Sequence, residues 1–453
     1  MNQPVILSAV RTPIGKFQGG LSSLTATDLG AKVVAKLTRR LLPFLFLLYI
    51  VAYLDRINVG FAALQMKGQL GFSDEVYGLG AGIFFAGYFF FQVPSNLALA
   101  RVGARKWIAV IMVVWGIISA SMIFVGSPRG FYFLRFLLGA AEAGFFPGMI
   151  LYLRSWFPSA ARARAIALFM TAAPLAGVIG GPISGLLLGV HGAHLMGWQW
   201  LFLIEGLPAV LLGGVVLAYL TDRPEIATWL TEEERSWLVG QLAHEEKPHP
   251  RASSHAFAAF ASARVWILVV VYLGETTAAY GIGLWLPSLL RSVSGTSNFV
   301  VGLLSAIPYL VTMVAMVLVG THSDRRRERK WHLAGSAFAC AIGLGCAAYS
   351  TSTTADVIFL SVTLMAAFSM NGPFWATTTE MLSGTSAAAG IALINSFGNL
   401  GGFLGPYTIG LVRTWTGSFR GGLLTVGALL AVSGVLALLA YGKGPPPTHS
   451  PTP

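Results

Sequence analysis

Five ionisable residues stand inside otherwise apolar runs. Asp55 and Arg56 are adjacent in LYIVAYLDRINVGFA, Arg135 and Glu142 are seven apart in RFLLGAAEAGFFPG, and Glu275 falls in a later run. Even translocon-derived scales charge about 2.5–3.5 kcal/mol for Arg or Asp at the centre of a membrane helix, so such groups are functional by default. A spacing of seven is two helical turns, which puts Arg135 and Glu142 on one face. That face can point into a central cavity. A guanidinium can hold a carboxylate and a carboxyl group can carry a proton, and each protonation state changes the local field. The competing reading is a salt bridge that locks neighbouring helices together.

The uncharged candidates are softer. Tyr53 lies two residues before Asp55, Tyr88 falls in the next apolar run, and Tyr280 and Trp285 could wall a pocket against an aromatic solute. Asn371, Asn395 and Asn399 are polar groups in the carboxy-terminal half, the last two one turn apart on a single face. Interhelical hydrogen bonding is the plain alternative for all three. The cysteines, Cys340 and Cys346, imply neither a disulfide framework nor a metal site, and no cofactor is expected. A phosphate-binding loop of the GxxxxGK[ST] type is absent, which argues against nucleotide-driven pumping.

The elements that must position these groups are membrane helices. Hydrophobic residues make up 55% of the chain and charged ones 11%, and the mean hydropathy is +0.70. Soluble domains carry about 25% charged residues. Runs long enough to cross a bilayer fall near 41–65, 78–100, 107–126, 130–153, 165–190, 199–220, 265–287, 300–321, 332–350, 355–377, 388–412 and 421–442. The fold class expected is thus an all-α membrane protein with twelve spans. The net charge of +12 follows topology and not a nucleic-acid partner. Alternate loops hold twenty Lys and Arg, against five in the opposite loops, Lys67, Arg129, Arg291, Arg413 and Arg420. The positive-inside rule then places both termini in the cytoplasm.

The chain also repeats itself. At an offset of 224, Ser73 matches Ser297, Gly78 matches Gly302, Arg101 matches Arg325, and Arg105-Lys106-Trp107 matches Arg329-Lys330-Trp331. Two parallel six-span halves follow, 37–220 and 265–442, joined by the hydrophilic segment 221–264. In that segment Thr231 and Glu234 have capping-box spacing. The tail 443–453 cannot continue a helix. Gly181 and Gly185, Gly398 and Gly402, and Gly401 and Gly405 have the small-xxx-small spacing that lets helices approach closely.

YLDRINVGFA, QVPSNLALARVGARKW, RFLLGAAEAGFFPG, GWQWLFLIEGLPA and HSDRRRERKWH, in that order, resemble the motifs of major facilitator transporters and specifically of their anion:cation symporter family. The resemblance implies two pseudo-symmetric six-helix bundles with a substrate site between them, in a multi-pass inner-membrane monomer of a bacterium. It implies that Arg56 and Arg135 serve the substrate carboxylate, Arg135 alternatively pairing with Asp55. It also implies that Glu142 carries the coupled proton, with Asp55 assisting, and that Tyr88 contacts substrate. Glu275 has no counterpart in the family pattern and stands outside the assignment. Arg101, Arg105, Asp324 and Arg325 would pair and release as gates; the first copy has Ala100 where the second has Asp324. The partners implied are a proton and a small organic anion: a sugar acid, a tartrate-like dicarboxylate or an aromatic carboxylate. The alternative within transport is an exporter or facilitator of a neutral or other solute.

The first 36 residues resemble something else, the start of thiolases (acetyl-CoA acetyltransferases), with a strand over Val5 to Val10 and a helix over Thr25 to Lys36. A thiolase needs a nucleophilic cysteine and a second cysteine as acid/base. Both cysteines here fall in the ninth span, so the head reads as a non-functional fragment and the chain is not expected to be an enzyme.

Overall fold

The computed structural model describes residues 26–192, 194–245, 261–382 and 387–440, and among them the elements are helices, with no sheet. The first half comprises α1 (Ala26–Leu70), α2 (Asp74–Val102), α3 (Ala104–Ala120), α4 (Pro128–Glu142), α5 (Phe145–Trp156), α6 (Ser159–Met170), α7 (Ala172–Leu187) and α8 (Gly197–Tyr219). A short α9 (Glu232–Glu245) follows. The second half comprises α10 (Ala263–Ser294), α11 (Asn298–Arg326), α12 (Lys330–Tyr349), α13 (Thr353–Met381), α14 (Ala387–Asn399), α15 (Gly401–Thr416) and α16 (Arg420–Ala440).

Eleven helices among the described residues are long and apolar enough to cross a membrane, with α4–α5 and α6–α7 each forming one span. The remaining expected span, 388–412, is the pair α14 and α15, of 13 and 16 residues, interrupted at Leu400. Composition alone does not show such a break. The two six-span halves are therefore present, and the repeat is visible in their capping. Ser73 Oγ accepts from the Val76 N–H at the start of α2, and Ser297 Oγ accepts from the Val300 N–H at the start of α11. Each satisfies an N–H that a helix start leaves orphaned.

Residues 26–36 are not a separate element. They continue α1 without a break, and Val33 and Leu37 are fully buried. The expected strand Val5–Val10 and the tail 443–453 lie outside the described residues. The capping box of α9 is formed: Glu234 N–H donates to Thr231 Oγ1 at 3.2 Å and Thr231 N–H to Glu234 Oε2 at 3.0 Å. The helix docks on the first half through Lys36 with Glu234 at 2.6 Å and Arg162 with Glu245 at 3.1 Å. Just before it, Trp229 stacks on Trp156.

The side on which α1 begins and α9 lies is the linker side; the opposite side is distal. The halves meet tightly on the distal side. A Cβ on Gly181 of α7 would lie 2.5 Å from the Gly302 carbonyl oxygen of α11, and one on Gly78 of α2 would lie 2.6 Å from that of Pro406 in α15. Both contacts require glycine, and they follow the small-residue logic of membrane helix packing. Asp74 at the tip of α2 meets Arg413 at 3.2 Å and also pairs with Lys67. Tyr77 donates to the Leu284 carbonyl at 2.7 Å.

Candidate functional site

Arg56 lies fourteen residues before the end of α1 at Leu70, and Tyr280 fourteen before the end of α10 at Ser294. At 1.5 Å per residue both are about 21 Å in from the distal ends. Arg56 NH1 donates to the Tyr280 hydroxyl at 2.8 Å, across the boundary between the halves. The two residues are separated by 224 positions, the offset of the internal repeat, so equivalent points of the two halves touch here. Gly60 and Leu284, with the same offset, touch as well. The structure thus brings α1 and α10 together along the pseudo-symmetry axis.

A cavity of about 100 Å³ opens beside this contact, with walls from both halves. Of the expected substrate residues, Arg56, Tyr53, Tyr88, Asn395 and Asn399 line it, as does Tyr280. Arg56 is the one Lys or Arg among the lining residues described. Its other amino group is ion-paired with Glu142, and the guanidinium lies within 6 Å of the Phe84, Tyr88 and Tyr280 ring centres, at 5.4, 5.6 and 5.8 Å. One planar fork therefore joins a carboxylate of the first half to a phenol of the second, a geometry that lysine could not reproduce.

Two expected cavity residues lie elsewhere. Arg135 is fully buried, donates to the Gly80 and Ala81 carbonyls of α2 at 3.3 Å, and lies over Phe84 at 5.0 Å. It shares a face with Glu142, but seven residues of helix separate them by about 10 Å along the axis, so only Glu142 reaches Arg56. Arg135 is not ion-paired with Asp55. Trp285 is fully buried toward the distal side, where its indole N–H donates to the Pro406 carbonyl at 3.0 Å. It follows Tyr280 by five residues, which on a helix points the two side chains apart.

Asp55 faces into the first half, where Oδ1 accepts from Ser119 of α3 and from Asn58 at 3.0 Å. Close by in the first half, Glu205 of α8 is buried and accepts from Ser184 at 2.9 Å. The sequence reading passed over Glu205; its signal is a lone carboxylate inside the apolar GWQWLFLIEGLPA. Glu275, set aside from the sequence, lines the cavity together with Asn371, whose amide donates to Glu275 Oε1 at 2.7 Å.

The expected gate residues sit at linker-side helix ends. Arg101 and Arg325 are exposed. Asp324 pairs with Arg329, which approaches Glu380 at 3.8 Å. In the first copy, where Ala100 replaces the acid, Asp222 supplies it: its Oδ1 accepts from the Arg105 N–H at 2.9 Å, capping α3.

A family model described as the Major Facilitator Superfamily matches residues 45–406. The chain belongs to the Major Facilitator Superfamily. Among curated relatives, a "Putative tartrate transporter" of Agrobacterium vitis is 52% identical over 93% of this chain and 94% of its own. A "Quinolone resistance transporter" of Acinetobacter baumannii is 41% identical over 92% and 96%. Among solved structures, an inward-facing bacterial homologue of the human lysosomal transporter Spinster superposes with a TM-score of 0.74. It covers 91% of this chain and 97% of its own at 19% identity, a likeness of fold. This major facilitator chain thus places its cavity where the superfamily's architecture calls for one, at the boundary of the halves.

Proposed function

We propose that this chain is a secondary transporter that imports a small organic anion together with protons by alternating access, with a tartrate-like hydroxy acid as the leading substrate. The observation that carries the reading is the Arg56 fork: a buried guanidinium at the cavity, already occupied by Glu142. While Glu142 is charged, Arg56 is neutralised and an incoming carboxylate gains little. Protonation of Glu142 loosens that hold and frees the guanidinium for the substrate. Proton loss on the far side restores the pair and expels the anion, because each protonation state changes the field at the site. The 52% identical relative named for tartrate supports the substrate class. The bias of basic residues supports a cytoplasmic linker side, so that the tight distal packing would close the cavity toward the periplasm of a bacterial inner membrane.

The test is proton-gradient-driven uptake into proteoliposomes of labelled tartrate, sugar acids and hydroxyphenylacetate. Wild type should accumulate one of these, and Glu142→Gln should still exchange that acid but accumulate it to a lower level under the same gradient. The 41% identical quinolone-resistance relative favours export of another solute as a second reading. No uptake of any acid by wild type, or undiminished accumulation by the mutant, would favour it.

A further inference from the structure

The charges at the cavity do not yet balance. Arg56 contributes one positive charge and Glu142 cancels it, and Glu275, when ionised, adds a second negative charge from the other half of the cavity. Glu275 is 5% exposed, and no ion pair to it occurs among the described residues. Its hydrogen-bond partner is the neutral amide of Asn371. The titratable groups that act on it are Cys340 from α12 and Tyr272 and Tyr280 on its own helix, and Arg56, Tyr49, Tyr53 and Tyr88 line the same cavity. Arg56 is the one cation of that set. Asp55, Glu205 and Arg135 do not line the cavity. With both glutamates ionised the cavity is net negative and repels an anion. Protonating Glu142 alone brings it only to neutrality. A positive cavity requires a proton on Glu275 as well.

We propose that Glu275 is a second proton-binding site and that each organic anion enters with two protons. This rests on the proton-coupled reading above. One proton binds a Glu142 carboxylate oxygen and the other a Glu275 oxygen, each taken from water on the entry side and returned to water on the exit side. The second site lies in the opposite half of the molecule from the first. The halves then each contribute one carboxyl group, and Arg56 stands between them as the single fixed charge. Asn371, donating to Glu275 Oε1, holds that carboxyl group against the wall of α13.

The decisive measurement is the equilibrium accumulation ratio of tartrate, or of whichever acid is taken up, in proteoliposomes with the membrane potential clamped at zero. One pH unit then supports about 100-fold accumulation for two coupled protons and about tenfold for one, since each protonation contributes a factor of ten per unit. Wild type is expected at the higher ratio and Glu275→Gln at the lower. The ratio is an equilibrium quantity, so slower transport by the variant does not imitate the result. Glutamine stands in for the protonated acid, so Glu275→Gln should still perform counterflow exchange of the acid. A wild-type ratio near tenfold, a Glu275→Gln ratio as high as the wild type's, or loss of counterflow in Glu275→Gln would overturn the second site. Absence of any gradient-driven accumulation in wild type would instead overturn the proton-coupled reading itself.

Discussion

Truncating Glu142 to alanine removes one partner of a buried ion pair and leaves the other in place. Arg56 is only 6% exposed, and its NH2 group would lose the carboxylate it donates to. Breaking such a pair from one side typically costs about 3–5 kcal/mol, because the surviving charge stays buried. Here the loss should fall near the low end, about 3 kcal/mol, for two reasons drawn from the same contacts. NH1 keeps the Tyr280 hydroxyl at 2.8 Å, and the guanidinium borders a cavity that water can enter. In detergent, followed by intrinsic fluorescence, Glu142→Ala should melt several degrees below wild type in the absence of substrate. Added tartrate should then stabilise the variant more than it stabilises wild type, because the anion supplies the missing negative charge. A variant that melts with wild type, or gains less from tartrate than wild type does, would refute the claim that Arg56 is the anion's anchor.

Three further outcomes follow from the geometry. Gly302→Val places side-chain atoms against the Gly181 carbonyl and should cost about 1–3 kcal/mol of distal closure; labelling of a cysteine placed at Asn298 should rise in proteoliposomes. Trp285→Phe removes the hydrogen bond to Pro406 but touches no cavity residue, so it should lower the melting midpoint while leaving the KM for the transported acid unchanged. On the linker side, burial works against ionisation of Glu245, but the Ser159 N–H and hydroxyl, Gln241 and Arg162 outweigh it and hold its pKa below the ordinary value. A lowered folded-state pKa adds stability above the unfolded value that disappears as pH falls through the folded one. Glu245→Gln should therefore loosen α9 by about 1 kcal/mol, as the loss of a helix cap does. Protease sensitivity near α9 should rise in the variant at neutral pH and converge with wild type in acid.

The spans were legible in the sequence because length and apolarity are all that a bilayer asks of a helix. The break at Leu400 had a local signal in Asn399 and the Gly401-Gly402 pair, which a span count by length and apolarity does not register. Arg56 and Glu142 were legible because charge is scarce among these runs, but that they pair with each other was not. Arg135 is equally scarce and equally buried, yet it spends its donors on carbonyls of α2; composition cannot separate a charge that faces a cavity from one that clamps two helices. Trp285 shows the complementary limit, since an aromatic residue near a site is as well suited to packing behind it. Tyr280 could have been placed more firmly: counting 224 from Arg56 along the repeat leads directly to it.

The docking of α9 has a consequence for how the molecule may be taken apart. Its ion pairs, through Lys36 and Arg162, and its capping of α6 at Ser159 all end on the first half. Among the described residues, the contacts of α9 named here thus belong to the first half, and the second half begins with α10. Among the described residues, the two halves are held to each other by Gly181 against Gly302, Gly78 against Pro406, and the Arg56–Tyr280 bond. Nicked anywhere between Glu245 and Ala263, the protein should behave as a heterodimer of two polypeptides, each with its own termini and each able to find the other in the bilayer.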